Sequence, residues 1–477
     1  MLFNSVDFAI FFPVIFLLYW FVFNRNVTWR NLFLLVASYV FYGFWDWRFL
    51  PLIAASSIID FFLGRQIGKT GDCRKRKIFL IASLVINLGI LGFFKYYNFF
   101  AESFVDVFSL FGKKFNHATL DIILPIGVSF YTFQSLSYII DIYHRKIEPT
   151  GKIINFCTFV GFFPQLVAGP IERAKNLLPQ FDTLKRFDYE ATRKGMLLIV
   201  GGLFKKIVIA DRLAIFVDSA YGDIASASGA VLSCAIIFFA FQLYFDFSAY
   251  SNIAVGTAQI LGFSLSVNFR RPYLSGSFSE FWTRWHITLS SWFRDYVYIP
   301  IGGNRKGRAR TTVNVMAVFV LSGLWHGASW NFIVWGAINA LLMIILDRLF
   351  GLEKSTGLKR IAGAVLVFTG WALSLVFFRV PTFSGAINVF SNLGLNAAET
   401  IYQFGLNITE FKFAIYLLFG MMLYEILVER YGERLQERFF AAGRVFRWAV
   451  YLGLVLCIVY LGSYGTSSDN SFIYFQF

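Results

Sequence analysis

Charged residues are scarce in this chain of 477 residues. Asp, Glu, Lys and Arg together make up 15% of it, whereas 57% is apolar and 20% is aromatic, including 60 Phe. A soluble domain averages about 25% charged and roughly 45–50% apolar residues, so this chain has too few charges to cover a water-soluble globule of its size. The composition excludes a cytosolic enzyme, a disordered tail and a secreted disulfide scaffold.

Cysteine is equally scarce. Cys73, Cys157, Cys234 and Cys457 lie far apart and form no CxxC pair, so neither a disulfide framework nor a zinc site is indicated. The chain has no HExxH or grouped Cys/His set, no P-loop and no GxSxG elbow. These absences argue against a catalytic metal, an ATP-driven pump and a serine hydrolase.

Long apolar runs are what the chain has instead. A membrane helix needs roughly 17–25 mostly apolar residues, and uninterrupted runs of this kind do not match an outer-membrane barrel. We expect an all-α polytopic membrane protein with about eleven transmembrane helices. The stretches free of Asp, Glu, Lys and Arg are Phe8–Asn24, Ile78–Phe94, Ile122–Ile140, Ile224–Phe245, Phe247–Phe269, Thr311–Leu346, Ile361–Phe378 and Trp448–Ser468, with shorter ones at Asn31–Trp45, Phe49–Ile59 and Phe413–Tyr424. Thr311–Leu346 is long enough for a helical pair.

Basic residues exceed acidic ones by 15, and in so apolar a chain positive residues held on the cytoplasmic side explain this excess. Counting spans from the basic clusters predicts that both termini lie outside the cytoplasm, including the tail 465–477. The run Arg305–Arg310 resembles a nucleic-acid patch in isolation. Because this run lies beside membrane segments, it is better explained as a cluster that sets the topology or attracts an anionic cofactor such as a pantetheine phosphate. We therefore expect no nucleic-acid partner.

Two segments, Ile153–Ile171 and Leu274–Pro300, are broken up by Gly, Pro and charges, which favours re-entrant structure. Irregular backbone at membrane depth is tolerated only where protein or a water-filled cavity satisfies it. These breaks therefore indicate a central cavity. Nothing divides the chain, so we expect one integral domain over 1–477.

His326 is the only readily titratable group of the apolar stretch Thr311–Leu346. An ionisable group inside such a stretch is a functional hypothesis by default. Gly323 and Gly327 beside it allow another backbone or a ligand to approach closely, and a neutral imidazole can act as a base near pH 7. A structural histidine bonded to a neighbouring helix is the alternative.

Other polar groups enter apolar segments. His286 lies in a stretch with several Trp residues, which suits either a cavity-lining helix or an aromatic belt. Asp246 is the lone charge between Ile224 and Phe269. A hydrogen bond or ion pair to a neighbouring helix explains a carboxylate at this position as well as a catalytic role does. Gln134 lies near a broken helix, and packing explains it equally well.

Five motifs carry a family resemblance: LPIGVSFYTFQ (124–134), GFFPQLVAGPIER (161–173), YFDFSAYSN (244–252), NFRRPYLSGSFSEFWTRWHITLSSWFRDYVYIPIGGNR (268–305) and LSGLWHGASWNF (321–332). The sequence resembles the membrane-bound O-acyltransferase family. Within the family it is most similar to the bacterial branch that contains the membrane subunit of alginate O-acetylation and the D-alanyl transferase of teichoic acids. The motif-bearing core covers about 120–350.

The resemblance implies a ring of tilted helices around a central funnel, where a cytoplasmic acyl thioester meets an acceptor from outside. It places the family's active-site histidine on His326 and its second histidine on His286. Where the family usually has an acidic residue, this chain has Asn252, which puts a carboxylate role there in doubt. We expect a substrate channel lined by Gln134, Asp246, Asn252, Trp285, Trp325 and Asn331.

The tail ends in Phe-Ile-Tyr-Phe-Gln-Phe (472–477). It resembles the Phe-x-Tyr motif of the small partner peptide of the D-alanyl transferase, here fused to the enzyme. One hypothesis makes Tyr474 an acyl acceptor that hands the group onward. An interfacial aromatic anchor is the alternative.

The resulting prediction is an O-acyltransferase of the bacterial inner membrane that moves an acyl group, expected to be acetyl, onto an exported polysaccharide such as alginate. His326 is the predicted general base. The donor is acetyl-CoA or the phosphopantetheine of an acyl carrier protein, and no cofactor stays bound. Expected partners are membrane lipids and an extracytoplasmic SGNH-type acetyltransferase or the polysaccharide itself. D-alanyl transfer, and a transporter or flippase without chemistry, are the alternatives.

Overall fold

The structure is a computed structural model that describes residues 1–110, 120–394, 402–464 and 472–473. Over these residues the secondary structure is helical and contains no strand. This confirms the predicted all-α class. The described chain forms two compact units, the first comprising Met1–Met196 with Ala254–Ser266 and the second Leu197–Ile253 with Val267–Phe477.

The first unit contains nine helices within its described residues, followed by a tenth at its boundary with the second. They are α1 Val6–Leu18, α2 Val27–Asp46, α3 Leu50–Lys69, α4 Cys73–Leu91, α5 Tyr97–Leu110, α6 Val128–Tyr143, α7 Ile153–Gly161, α8 Phe163–Leu166, α9 Ala174–Leu177 and α10 Tyr189–Leu203.

The remaining helices begin in the second unit, and α12 ends in the first. They are α11 Asp211–Gly222, α12 Gly229–Ile260, α13 Phe278–Arg284, α14 Ile287–Phe293, α15 Gly307–His326, α16 Trp330–Leu349, α17 Gly357–Arg379, α18 Phe383–Ser391, α19 Ile408–Ala441 and α20 Arg444–Leu461.

Buried polar side chains join helices inside the first unit. The Asp60 carboxylate on α3 accepts hydrogen bonds from the Ser83 hydroxyl and the Asn87 amide on α4, at 2.6 and 2.9–3.0 Å. Arg30 on α2 is fully buried and donates to the Phe181 carbonyl oxygen at 2.9 Å. A buried polar group costs little when it is hydrogen-bonded, so these contacts fix the helices that carry them.

The segments expected to be broken are broken. Residues 153–171 form only the short helices α7 and α8, and residues 274–300 form α13, α14 and a π-helical segment, Arg294–Tyr298. In contrast, the two apolar stretches on either side of Asp246 form one continuous helix, α12, of 32 residues.

Eight segments within the described ranges are long and apolar enough to cross a membrane. They are Val6–Phe23, Val27–Lys69, Cys73–Ser109, Gly229–Ile260, Trp330–Asp347, Gly357–Arg379, Ile408–Ala441 and Arg444–Leu461. Apolar side chains such as Val6, Leu358 and Val445 are 76%, 82% and 85% exposed. Exposure of this kind on helices of spanning length is typical of lipid-facing surfaces, so the chain is a multi-pass membrane protein.

Candidate active site

The apolar stretch around His326 folds into the predicted helical pair, α15 and α16. His326 is the last residue of α15, and α16 begins at Trp330 after a break of three residues. Ser329 caps α16, because its hydroxyl oxygen accepts the Asn331 backbone N–H at 3.1 Å. His326 therefore lies at a helix end, beside an irregular turn.

The two helices approach each other at glycines. A Cβ atom built at Gly323 would lie 2.1 Å from the Phe332 carbonyl oxygen, and one at Gly336 would lie 2.3 Å from the Phe319 carbonyl oxygen. At Gly327 the nearest atom is a ring carbon of Phe332, at 2.0 Å. The expected approach of another backbone is confirmed at Gly323, where the partner is the Phe332 carbonyl group, whereas Gly327 meets the Phe332 side chain instead.

Aromatic rings surround the His326 imidazole, which is 7% exposed. Its ring centroid lies 5.0 Å from that of Trp325, 5.1 Å from that of Trp335 and 5.5 Å from that of Phe378. All three neighbours are at steep angles to the imidazole plane. Such rings restrict where the imidazole can point, and a neutral imidazole retains one nitrogen that accepts a proton.

His286 occupies the joint between α13 and α14 with a left-handed backbone, φ 41°. Asn268 fixes the chain directly after it. The Ile287 N–H donates to the Asn268 carbonyl oxygen at 2.9 Å, and the Thr288 hydroxyl donates to the Asn268 side-chain oxygen at 3.0 Å. A non-glycine residue at positive φ is uncommon and persists where its surroundings determine it.

The start of α13 is fixed by a carboxylate from α16. Asp347 accepts the backbone N–H of Phe278 at 2.9 Å and that of Ser279 at 2.7 Å. Ser277 adds a side-chain cap, accepting the Glu280 N–H at 3.1 Å. Because a helix N-terminus has unsatisfied N–H groups and a positive dipole end, a carboxylate there stabilises both. The helix that carries the joint at His286 is thus tied to the helix after His326.

The two histidines meet at one indole. The His286 and His326 ring centroids lie 6.1 and 5.0 Å from that of Trp325. His286 is 1% exposed and also contacts Phe247, at 4.7 Å between centroids. Three residues predicted for the site therefore lie together in the second unit.

Trp285 belongs to a neighbouring group of rings rather than to the indole between the histidines. Its centroid lies 4.8 Å from that of Trp371, and Trp371 lies 5.9 Å from Trp335. Trp335 is in turn a neighbour of His326. Trp285 therefore supports the histidine region through two further rings.

The remaining predicted channel residues have separate surroundings. Asn331 donates to the Val380 carbonyl oxygen at 2.7 Å, and Asn252 is half-buried on α12. Gln134 lies in the first unit, where its amide donates to the Phe159 carbonyl oxygen at 2.7 Å. Tyr474 lies outside the described residues.

Asp246 is buried with a cation that the sequence did not suggest. The Lys206 ammonium lies 2.7 Å from Asp246 Oδ1 and 2.8 Å from an Asp211 oxygen. Asp246 Oδ2 accepts the backbone N–H of Ile473 at 2.6 Å. The lone charge of α12 is therefore part of an ion cluster that reaches the C-terminal tail.

Comparison with known proteins identifies the family. The family model described as MBOAT, membrane-bound O-acyltransferase family, matches residues 150–361, a range that contains both histidines. The protein named "Probable alginate O-acetylase" of Pseudomonas aeruginosa is 39% identical over 411 residues, which cover 84% of this chain and 75% of that relative. The chain belongs to the membrane-bound O-acyltransferase family. It is a multi-pass membrane O-acyltransferase.

Two further relatives differ in how much of this chain they match. The peptidoglycan O-acetyltransferase of Helicobacter pylori is 33% identical over 431 residues, 84% of this chain and 81% of its own. The teichoic acid D-alanyltransferase of Bacillus subtilis is 27% identical over 248 residues, 48% of this chain and 60% of its own. Among these acyltransferases the O-acetylating ones share more of the chain.

Sequence reasoning missed three residues that organise this acyltransferase: Asn268, Asp347 and Lys206. Asn268 is the first residue of the motif at 268–305. The sequence therefore marked this residue but did not indicate its structural role. Asp347 is the first charge after the apolar run that holds His326. Lys206 interrupts the apolar run Leu197–Ala210, and an ionisable group in such a run is a signal in itself.

Proposed function

We propose that this protein transfers an acetyl group from a cytoplasmic thioester to an acceptor outside the membrane, for O-acetylation of an exported polysaccharide such as alginate. The names of two of its relatives, an alginate O-acetylase and a peptidoglycan O-acetyltransferase, support the acetyl group and a polysaccharide acceptor. A thioester already stores the driving force for forming an ester, so the reaction needs no nucleotide hydrolysis.

The observation that carries the proposal is the placement of His286 and His326 on the same indole ring, Trp325. In the proposed reaction His326 is the general base that removes a proton from an attacking hydroxyl. A hydroxyl is a weak nucleophile until a base takes its proton, and such help contributes about 10²–10⁴-fold to the rate. His286 orients the thioester or polarises its carbonyl.

The first acceptor in this proposal is the Tyr474 hydroxyl. Its oxygen bonds to the acetyl carbon, the C–S bond breaks, and the phenolic proton passes through His326 to the departing thiolate. A sugar hydroxyl then attacks the aryl ester, releasing the phenol and completing the transfer. Supporting this acceptor, Ile473 belongs to the same continuous hydrophobic core as Trp335 and Phe378, which flank His326.

The proposed donor is acetyl-CoA or an acetylated carrier protein, used as a substrate rather than held as a cofactor. The proposed channel side chains are Asn252, Trp285, Trp325 and Asn331, all in the second unit. Outside the membrane, an SGNH-type acetyltransferase or the polysaccharide itself receives the group. Membrane lipids surround the exposed apolar faces.

The finer topology belongs to the same proposal: one integral domain of about eleven spans around a funnel in the bacterial inner membrane, with both termini outside. The eight candidate spans support this number in the following way. The segment Val27–Lys69 consists of two helices of 20 residues each, α2 and α3, which makes nine spans. Counting α6, of 16 residues, and α15, of 20 residues, as further spans gives eleven.

D-alanyl transfer is the alternative within the family. The D-alanyltransferases match only about half of this chain, at 26–27% identity. Family membership favours a transferase over the transporter or flippase. Presenting acetyl-CoA and a D-alanyl carrier protein separately distinguishes the acyl groups.

The decisive experiment uses the full-length protein in nanodiscs with radiolabelled acetyl-CoA, followed by intact-mass analysis and mapping of any added acetyl group. We expect His326→Gln to lower transfer by at least about 10²-fold while thermal unfolding is unchanged. Tyr474→Phe removes the hydroxyl and keeps the ring, so it should abolish labelling of the protein. Undiminished transfer by His326→Gln contradicts the proposed base.

Tyr464→Phe is the matched control for the tail. Tyr464 lies before the tail, and its hydroxyl donates to the Ile458 carbonyl oxygen at 2.7 Å. Loss of this hydroxyl should leave labelling intact. Full transfer to an acceptor by Tyr474→Phe rules out the relay but leaves the acyltransferase reaction in place.

A further inference from the structure

A buried ion cluster lies beside the C-terminal tail in the second unit. Lys206 is 2% exposed and lies between Asp211 and Asp246, with ammonium–carboxylate distances of 2.8 and 2.7 Å. Lys206 belongs to a π-helical segment, Phe204–Ala210, that joins α10 to α11. Segments of this kind are frequent at functional sites. Two carboxylates and one ammonium leave the cluster with an excess of acceptor oxygens.

Each Asp246 oxygen has its own contact. Oδ1 faces the Lys206 ammonium, and Oδ2 accepts the Ile473 backbone N–H at 2.6 Å. A hydrogen bond to an ionised group is about twice as strong as a neutral one, and low polarity around it strengthens it further. The carboxylate thus links the cation of one segment to the backbone of the tail.

Phe472 adds two aromatic contacts to the same place. The Lys206 ammonium lies 4.7 Å from the centroid of the Phe472 ring, within the range of a cation–π interaction. The Phe472 ring also meets Tyr250 of α12 edge-to-face, at 4.6 Å and 87°. Phe472 and Ile473 are 1% and 3% exposed, so a segment near the chain's end is as buried as the core.

We propose that Lys206 and Asp246 form a latch that holds residues 472–473 and thereby positions the next residue, Tyr474, for acyl transfer. This inference rests on the proposed role of Tyr474. Ile473 is the residue directly before Tyr474 in the sequence, so a tether at Ile473 shortens the length of chain that can move freely with the proposed acceptor. Neither Lys206 nor Asp246 touches reacting atoms, so both are positioning residues.

In this proposal the latch affects the position of the acceptor Tyr474 and not the binding of the donor, acetyl-CoA. Holding a nucleophile in a productive arrangement removes entropy from the barrier. Loosening the tail should therefore lower kcat for acetylation of Tyr474 and leave KM for acetyl-CoA nearly unchanged. A role limited to folding would instead lower the amount of active protein, with kcat per folded molecule unaltered.

Hydrogen–deuterium exchange of the C-terminal peptide tests the latch directly in the full-length protein. Asp246→Asn leaves one acceptor oxygen in place of two, so the side chain can no longer accept from both the Lys206 ammonium and the Ile473 N–H. Loss of a charged hydrogen bond predicts exchange at least about tenfold faster in that peptide. Equal exchange in the wild type and in Asp246→Asn overturns the latch.

Asp211→Asn is the matched control, because Asp211 contacts Lys206 as Asp246 does, whereas the Ile473 N–H donates to Asp246. Its tail should exchange at the wild-type rate. Faster exchange of the tail by the same factor in both variants assigns the effect to the ion cluster in general and overturns the specific link from Asp246 to the tail.

A second pair of variants leaves the ion cluster intact. Ile473→Pro deletes the donating N–H, whereas Ile473→Ala shortens the side chain and keeps the N–H. We expect kcat for Tyr474 acetylation, measured by intact mass, to fall about tenfold further in the proline variant, with KM for acetyl-CoA within about twofold. Equal kcat values in the two variants overturn the latch.

These measurements separate the two proposals. Amide exchange reports on the latch whether or not Tyr474 carries an acetyl group, and Tyr474→Phe reports on the relay whether or not the latch exists. If the tail amides exchange slowly in the wild type but Tyr474→Phe retains full transfer, the positioning role of the latch is overturned. If the tail amides exchange slowly and Tyr474→Phe is not labelled, both proposals are supported.

Discussion

Gly323 of α15 lies so close to Phe332 of α16 that a Cβ atom on the glycine would be 2.1 Å from the Phe332 carbonyl oxygen. The contact is between backbones, so neither partner can move a side chain aside. His326 follows less than one turn later. The separation of the two helices at this point therefore sets where His326 meets Trp335 of α16.

Gly323→Ala should separate α15 from α16 and disturb His326. Overpacking of this kind costs about 1–3 kcal/mol, so we expect a lower unfolding temperature in nanodiscs together with a large loss of acyl transfer. Gly420→Ala is the control, since a Cβ there meets nothing within 4 Å. It lies in α19 and should be neutral or stabilising, by about 0.5–1 kcal/mol. Equal effects of the two substitutions contradict the close contact.

The left-handed backbone at His286, φ 41°, predicts an inverted preference between glycine and alanine. Alanine normally stabilises a chain relative to glycine, but at positive φ its Cβ is strained. His286→Gly should therefore be more stable than His286→Ala by about 1 kcal/mol, although both lack the imidazole. Thermal unfolding measures the order, and activity should be equally low in both. Greater stability of the alanine variant contradicts the left-handed joint.

Asp347→Asn should weaken the start of α13, because an amide has only one oxygen for the two N–H groups that the carboxylate now accepts. Loss of such a cap costs about 0.5–2 kcal/mol. Because α13 leads into His286, transfer should fall beyond what the loss of folded protein explains. Activity per folded molecule is the measurement. An unchanged value contradicts a positioning role for the cap.

Glu353→Gln is the control for that substitution. Glu353 accepts the Ser279 hydroxyl at 2.8 Å, on the exposed side of the same helix start. An exposed polar contact contributes little, so the variant should stay within about 0.5 kcal/mol of the wild type. A loss as large as that of Asp347→Asn would show that capping is not the cause.

Much of the region around His326 was predictable, because its signals are local. An apolar run of twice the membrane length predicts a helical pair, and the turn falls beside the histidine because Gly327 and Ser329 end one helix and cap the next. The breaks in 153–171 and 274–300 were predictable for the same reason. Glycine, proline and charges act on the backbone within a few residues.

Long-range pairing was not predictable. Asp246 separates two apolar stretches in the sequence, yet α12 runs through it unbroken. A carboxylate in a buried helix is tolerated when a cation meets it, and Lys206, 40 residues earlier, supplies that cation. Arg30 likewise is fully buried, and its guanidinium donates to the carbonyl oxygen of Phe181, 151 residues later in the chain.

Glu172 predicts a pH-dependent stability of the first unit. It follows the broken segment 153–171, outside the candidate spans, and its carboxylate accepts the backbone N–H and the hydroxyl of Ser266. Burial raises the pKa of Glu172 to about 7, although the Ser266 hydrogen bonds favour the charged form. The unfolded chain has a Glu pKa of about 4.3. The folded state therefore binds this proton more tightly than the unfolded state.

The sign of the effect follows from that difference. Stability from Glu172 is fully present below about pH 4.3 and is lost as the pH rises through about 7. Gln in its place stays neutral, accepts the Ser266 N–H through its oxygen and donates to the hydroxyl through its nitrogen. The unfolding temperature of Glu172→Gln should thus rise relative to the wild type between pH 5 and pH 8. A difference that stays constant over this range contradicts the raised pKa.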